Sequence, residues 1–184
     1  KVAFSDTSVL LTGETGTGKE VFAQAIHHAS NRKNRNFVAV NCSAISHDLL
    51  ESEFFGHKAG AFTGAVKDRK GLLAEANNGT IFLDEIGELA TDLQVKLLRV
   101  IETGEYIRIG DNKPVKTDVR IIAATNRDLE MEIEKGNFRE DLFYRISVFQ
   151  IRLPALKERI IDIEPLAYHF LHLFASKSRK NIAR

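Results

Sequence analysis

The sequence has one cysteine, Cys42, so no internal disulfide can form, which fits a reducing cytosol. No apolar run approaches the roughly 18 residues that cross a bilayer, and no signal-peptide pattern opens the chain. A soluble, cytoplasmic protein with no membrane partner is expected. The net charge is only +1, which gives no electrostatic footprint for nucleic acid. Internal repeats and low-complexity segments are absent. What remains is ordinary globular material, 43% hydrophobic and 28% charged over 184 residues, enough for one α/β domain and the beginning of a second.

The most informative stretch is Gly13-Glu14-Thr15-Gly16-Thr17-Gly18-Lys19-Glu20. It follows the apolar run Val9-Leu10-Leu11 and precedes a helical pattern through Val21, Phe22, Ala25, Ile26 and Ala29. Three glycines let the backbone aim its amides at one point, and the helix start and Lys19 add positive charge. The spacing is that of a phosphate-binding loop, and the flanking strand and helix supply its required context. A ligand-free glycine turn is the bland alternative. One thing is missing: Glu20 stands where a magnesium-binding hydroxyl is usual, so the metal must be held elsewhere.

Further β-rich runs recur at Phe37–Val40, Thr80–Leu83, Val119–Ala124 and Val148–Leu153, with helical patterns between them. This alternation predicts an α/β fold with a five-stranded, mainly parallel sheet covered by helices on both faces. Residues 31–36 read as a solvated basic loop. Thr91 and Gln94 predict a capping box opening a helix that Gly104 ends. Residues 105–116 read as a hairpin-like insertion, with Arg108 either solvated or reaching a neighbour. Leu166, Ala167, Phe170, Leu171 and Phe174 form a wide apolar stripe in a helix-rich tail.

Several polar residues fall where open α/β sheets bind ligands, at the carboxyl ends of strands. Asn41 ends one strand, where it could instead cap the following turn, and Asn126 ends another, where it can orient water or touch a terminal phosphate. Asp84 and Glu85 end a buried strand in the Walker B pattern, the first suited to magnesium and the second to polarising water. Gly60-Ala61-Phe62-Thr63-Gly64-Ala65 carries an aromatic on a glycine-rich loop, either presented to another macromolecule or tucked onto its own domain. Arg139 and Arg145 read as surface charge or as groups entering a neighbouring subunit's site.

Taken in order, GETGTGKE (13–20), ESEFFGHKAGAFTGA (51–65), GTIFLDEIGEL (79–89), AATNRDL (123–129) and FREDLFYR (138–145) resemble the central AAA+ domain of bacterial sigma-54-dependent activators, of the nitrogen regulatory protein C type. The likeness runs from about Val9 to about Ile163, and Glu after the loop Lys is usual in that family.

The resemblance implies an AAA+ P-loop ATPase that forms a ring, usually a hexamer, and drives a GAFTGA loop against sigma-54 RNA polymerase to open promoters. ATP and Mg2+ are the implied cofactors. By position, residues 13–20 would hold nucleotide, Asp84 magnesium, and Glu85 the attacking water. Asn41 would restrain Glu85, Asn126 would be the first sensor, and Arg139 and Arg145 would be arginine fingers supplied in trans. Residues 60–65 would contact sigma-54, and the insertion around Arg108 would move with them. An AAA+ core over 1–154 and the start of an α-helical lid over 155–184 follow. No Gly-Asn-Val-Arg-Glu-like lid segment precedes Arg184, so residues 1–184 alone are expected to bind nucleotide weakly and hydrolyse it poorly. DNA contact is expected only through a separate domain. The competing readings are a nucleotide-gated binding module without turnover and an AAA+ remodeller of another protein.

Overall fold

The computed structural model describes residues 2–178. In chain order its elements are β1 (Val9–Thr12), α1 (Lys19–His28), β2 (Phe37–Asn41), α2 (His47–Phe55), β3 (Gly56–His57), β4 (Arg69–Lys70), α3 (Leu72–Glu75) and β5 (Thr80–Asp84). Then follow α4 (Thr91–Thr103), β6 (Glu105–Ile107), β7 (Pro114–Lys116), β8 (Arg120–Thr125), α5 (Leu129–Glu134), α6 (Glu140–Ile146), β9 (Phe149–Arg152) and α7 (Ile163–Ser178).

Five strands form one sheet in the order β2-β5-β8-β1-β9, and every pairing is parallel. The predicted sheet is therefore present and wholly parallel. Alternate residues of each strand face opposite layers. Val9, Leu11, Phe82, Ile122 and Ala124 pack with Ala23 and Ile26 of α1. Leu10, Ile81, Leu83, Ile121 and Ala123 face the opposite layer, built from α2, α4 and α6. Burial on both faces explains why these strands read as continuous apolar runs rather than alternating ones.

Two small antiparallel pairs lie outside the sheet. β3 pairs with β4 and β6 with β7, the latter being the predicted insertion. Arg108 within it is neither free nor solvated, because its guanidinium pairs with Asp111 at 2.6 Å.

Other local expectations need correction. The last strand spans Phe149–Arg152, one residue shorter at each end than the run Val148–Leu153. Arg32 leaves the solvated loop to pair with Asp6 and Asp118, both at 2.8 Å, and to donate to the Gly79 carbonyl at 3.1 Å. Five N–H donors on a planar guanidinium suit such a junction better than solvent does. The capping box at Thr91 does not form: Ala90 is the N-cap, no side chain caps the helix, and the Gln94 side chain is fully buried elsewhere. The apolar stripe of α7 is exposed, with Phe170 and Phe174 stacked on each other at 6.4 Å between ring centroids. The remainder of the predicted tail, from residue 179, lies outside the described residues.

Candidate functional site

β1, β8, β5 and β2 all end at one edge of the sheet, with Thr12 opposite Thr125 and Asn41 opposite Asp84. Parallel register is what collects residues so far apart in sequence. The loop after β1 reaches α1 through Gly18, whose left-handed backbone (φ +90°) opens the helix with no side-chain cap. The first amides of α1 are thus left for an external acceptor. A Cβ at Gly16 or Gly18 would meet no atom within 4 Å, so this side of the loop faces open space. Gly13 is constrained in the opposite sense, because a Cβ there would lie 2.6 Å from the Leu153 carbonyl oxygen of the neighbouring chain segment.

Lys19 is buried, and its ammonium donates to the carbonyls of Gly13 at 2.9 Å and Glu14 at 3.2 Å. Thr17 Oγ1 donates to the Glu14 carbonyl at 2.8 Å. From the other side, Arg159 donates to the Thr17 carbonyl at 2.7 Å and Lys157 pairs with Glu14 at 3.4 Å. The segment after β9 therefore grips the loop directly. Glu20 makes a local contact, accepting from Gln24 at 3.3 Å.

Glu85 has left-handed backbone, φ 53° and ψ 49°, uncommon for a residue with a side chain. Its amide donates to Asp84 Oδ1 at 3.1 Å, and its Oε2 accepts from the Asn126 amide at 3.3 Å. The Asn126 side chain in turn donates to Thr15 Oγ1 at 3.0 Å. Asn126 thereby touches both the glycine loop and the strand-end carboxylate. Burial, reinforced by the charges of Asp84 and Glu85, pushes the neighbouring Cys42 thiol up to about 12, so it stays protonated.

Asn41 lies at the same edge but does not hold Glu85. Its Oδ1 accepts from Ser43 N at 2.9 Å and Ser43 Oγ at 2.7 Å, a local turn that occupies the amide while Glu85 is directed to Asn126. Arg139 and Arg145 stand apart from this group. Arg139 forks onto Asp141, which raises the guanidinium's pKa through that hydrogen bond and lowers the carboxylate's. Arg145 reaches Glu102 of α4 at 3.1 Å.

Phe62 sits between the two sequence alternatives. It is 45% exposed, and its ring meets buried His57 edge-on at 5.0 Å. His57 is fixed by Ser52 Oγ at 2.7 Å and bridges Ile109, whose amide and carbonyl bond Gly56 O and Lys58 N at 3.0 Å each. The loop carrying residues 60–65 thus shares its base with the β6–β7 insertion. They touch again at Gly110, where a Cβ would lie 2.6 Å from the Cβ of Ala61.

Sequence reasoning missed Arg127, Gln94 and the linker pair Lys157 and Arg159. Arg127 directly follows Asn126 and pairs with Glu88 at 2.5 Å. Gln94 had a signal: it precedes Leu97, Leu98 and Ile101 at helical spacing, so it shares the buried stripe of α4.

The Sigma-54 interaction domain model matches residues 1–152. The Nif-specific regulatory protein of Azotobacter vinelandii is 57% identical over 171 residues, 93% of this chain and 33% of the relative. Regulatory protein AtoC of Escherichia coli K12 is 53% identical over 182 residues, 99% of this chain and 40% of the relative. Brucella abortus NtrX, solved in complexes with ADP and with ATP, superposes with a TM-score of 0.89 and 40% identity over 96% of this chain and 38% of that one. The chain thus spans well under half the length of these proteins. A glycine loop joined to a strand-end carboxylate on a five-stranded parallel AAA+ sheet, together with these likenesses, shows that the chain belongs to the sigma-54 interaction domain family of transcriptional activators.

Proposed function

We propose that this domain hydrolyses ATP within a ring of subunits, hexameric in the intact protein, and uses that reaction to remodel sigma-54 RNA polymerase closed complexes through residues 60–65. The observation that carries the reading is Asn126, which bridges Thr15 of the loop and Glu85 of the Walker B strand. A group that contacts both is placed to respond to a terminal phosphate.

Residues 13–20 bind the triphosphate, with the open amides of α1 and Lys19 meeting its charge. Asp84 is the carboxylate suited to Mg2+, since Glu20 offers no hydroxyl. Among the described residues no three or more His, Cys, Asp or Glu side chains converge as a metal site. That fits an ion held by one carboxylate together with phosphate oxygens and water. When bound, the ion supplies neutralising charge for the phosphates. Glu85 orients and polarises the attacking water, and Asn126 holds the Glu85 carboxylate in place.

Arg139 and Arg145, whose side chains pair with Asp141 and Glu102 rather than with residues 13–20 among the described residues, serve the neighbouring subunit's site. An arginine finger in trans is worth roughly 10³ to 10⁵ in rate for comparable enzymes, so hydrolysis should depend on assembly. Half-exposed Phe62 and exposed Thr63 are the contact with sigma-54. The division into a core (1–154) and the start of a helical lid (155–184) belongs to the same reading, with Arg159 joining them. DNA contact falls to a different domain.

The test is binding of sigma-54 to the full-length protein in the presence of a transition-state nucleotide analogue, with Phe62→Ala as control. Retained hydrolysis with lost sigma-54 binding is expected. Unchanged binding removes the loop from the mechanism, and a turnover per subunit that is independent of protein concentration overturns the trans arginines.

A further inference from the structure

Gln94 is a polar side chain with no solvent exposure, inside the otherwise apolar stripe of α4. Burying a primary amide is costly unless its hydrogen bonds are made, and here three are. Nε2 donates to the Leu89 carbonyl at 2.7 Å and to the Asn137 carbonyl at 2.9 Å, and Oε1 accepts from the Arg139 amide at 2.8 Å.

These three partners belong to two different places. Leu89 ends the 3-10 turn Ile86–Glu88 that begins at Glu85. Asn137 and Arg139 belong to the segment that enters α6 and carries the first of the two arginines. One amide therefore bolts the turn behind the water-polarising carboxylate to the backbone of the arginine meant for the next subunit.

A second strut runs beside it. Arg127, adjacent to Asn126, pairs with Glu88 at 2.5 Å and with Glu132 at 3.5 Å, and donates to the Gly87 carbonyl at 3.4 Å. Glu132 accepts from Asn137 Nδ2 at 2.9 Å. Both routes start between Glu85 and Leu89 and end at residues 137–139. Apolar contacts alone would let these segments slide, whereas a saturated buried amide admits one arrangement.

We propose that Gln94 is the positioning residue for Arg139, and that with the Arg127–Glu132–Asn137 strut it makes the placement of Arg139 follow the Glu85–Asn126 contact in the same subunit. This rests on the reading of Arg139 as a group acting in trans. The consequence is a directional link: the state of one site sets the arginine offered to its neighbour. A misplacement of about 1 Å in such a group costs up to about 10²-fold in rate.

The experiment uses mixed rings of the full-length protein. Wild-type chains are diluted into an excess of non-hydrolysing Asp84→Asn chains that supply arginines, and turnover per wild-type chain is measured. Supplier chains additionally carry Gln94→Met, Arg127→Met, both, or Arg139→Ala, with ring formation checked by sedimentation. Gln94→Met in the supplier is expected to lower neighbour turnover about tenfold, Arg127→Met at least about threefold, and the pair no more than Gln94→Met alone. Where Gln94→Met prevents assembly, Gln94→Glu replaces it, keeping the acceptor for Arg139 but losing the donor to Leu89, and the same loss is expected. A change below about twofold with Gln94, while Arg139→Ala still depresses turnover, overturns the proposal and leaves the trans reading standing. Multiplying losses from the two variants overturn the shared route. No effect of Arg139→Ala overturns the trans reading and the proposal with it.

Discussion

The backbone amide of Asn126 donates to Oε2 of Glu85 at 3.3 Å, across 41 positions of sequence. β5 and β8 lie side by side in parallel, so their carboxyl ends deliver these residues to one point. A carboxylate held by a backbone amide is fixed in direction. Replacing Glu85 by Gln should preserve that geometry while removing basicity. Turnover is expected to fall about 10²- to 10⁴-fold, with nucleotide affinity held within about threefold, as measured by steady-state hydrolysis and titration of a fluorescent nucleotide.

Arg159 donates to the Thr17 carbonyl from the segment that follows the sheet. A charge-assisted hydrogen bond of this kind contributes about 1.5–3 kcal/mol, so Arg159→Gln should weaken nucleotide binding by about tenfold or more. The melting temperature in the absence of nucleotide should also fall by roughly a few degrees, because the bond joins two segments of the folded chain. Isothermal titration alongside thermal unfolding separates the two effects.

Gly110 combines φ +73° with the close approach to Ala61. Gly110→Ala is expected to cost about 1–2 kcal/mol locally and to displace the 60–65 loop from the insertion. Hydrolysis should stay within about twofold while sigma-54 binding drops several-fold. If binding is unaffected, the contact between the two loops has no part in presenting Phe62.

His27 is buried beneath Phe37, and its Nδ1 lies 2.9 Å from Thr80 Oγ1. Burial, with the charge of His28 adding to it, holds its pKa below the ordinary value. The unfolded chain therefore takes up this proton at higher pH than the folded one. Stability is flat above the unfolded value of about 6.5 and declines as pH falls from there toward the folded value. The carboxylates of Asp6 and Asp141, lowered by their arginine partners, act in a separate window near and below their ordinary range. Urea unfolding between about pH 7 and 5.5 should show the decline, and His27→Gln should flatten it.

The sheet and its loop were legible because the central strands β1, β5 and β8 are apolar on both faces and the loop after β1 is rich in glycine. Asp84, Glu85 and Asn126 could be singled out because they lie at the carboxyl ends of such strands, and the fold brings them to one edge. Gln94 was misread because the helix-start motif was weighed above its helical spacing to Leu97, Leu98 and Ile101, and its bond to residue 139 is not recorded in any local pattern. Arg32 was misread for a similar reason. Its partners Asp6 and Asp118 lie 26 and 86 residues away, and no local pattern records them. The side chain of Asn41 accepts from Ser43 two residues on, a local turn that the strand-end position alone does not reveal.

Glu85 keeps a left-handed backbone with a full side chain attached. That conformation costs about 1–2 kcal/mol that glycine would not incur. A screen for heat resistance should thus enrich Glu85→Gly among survivors, and each such survivor would be catalytically dead. Durability and activity are set against each other at a single peptide unit, and whichever pressure acts on the protein is read out there first.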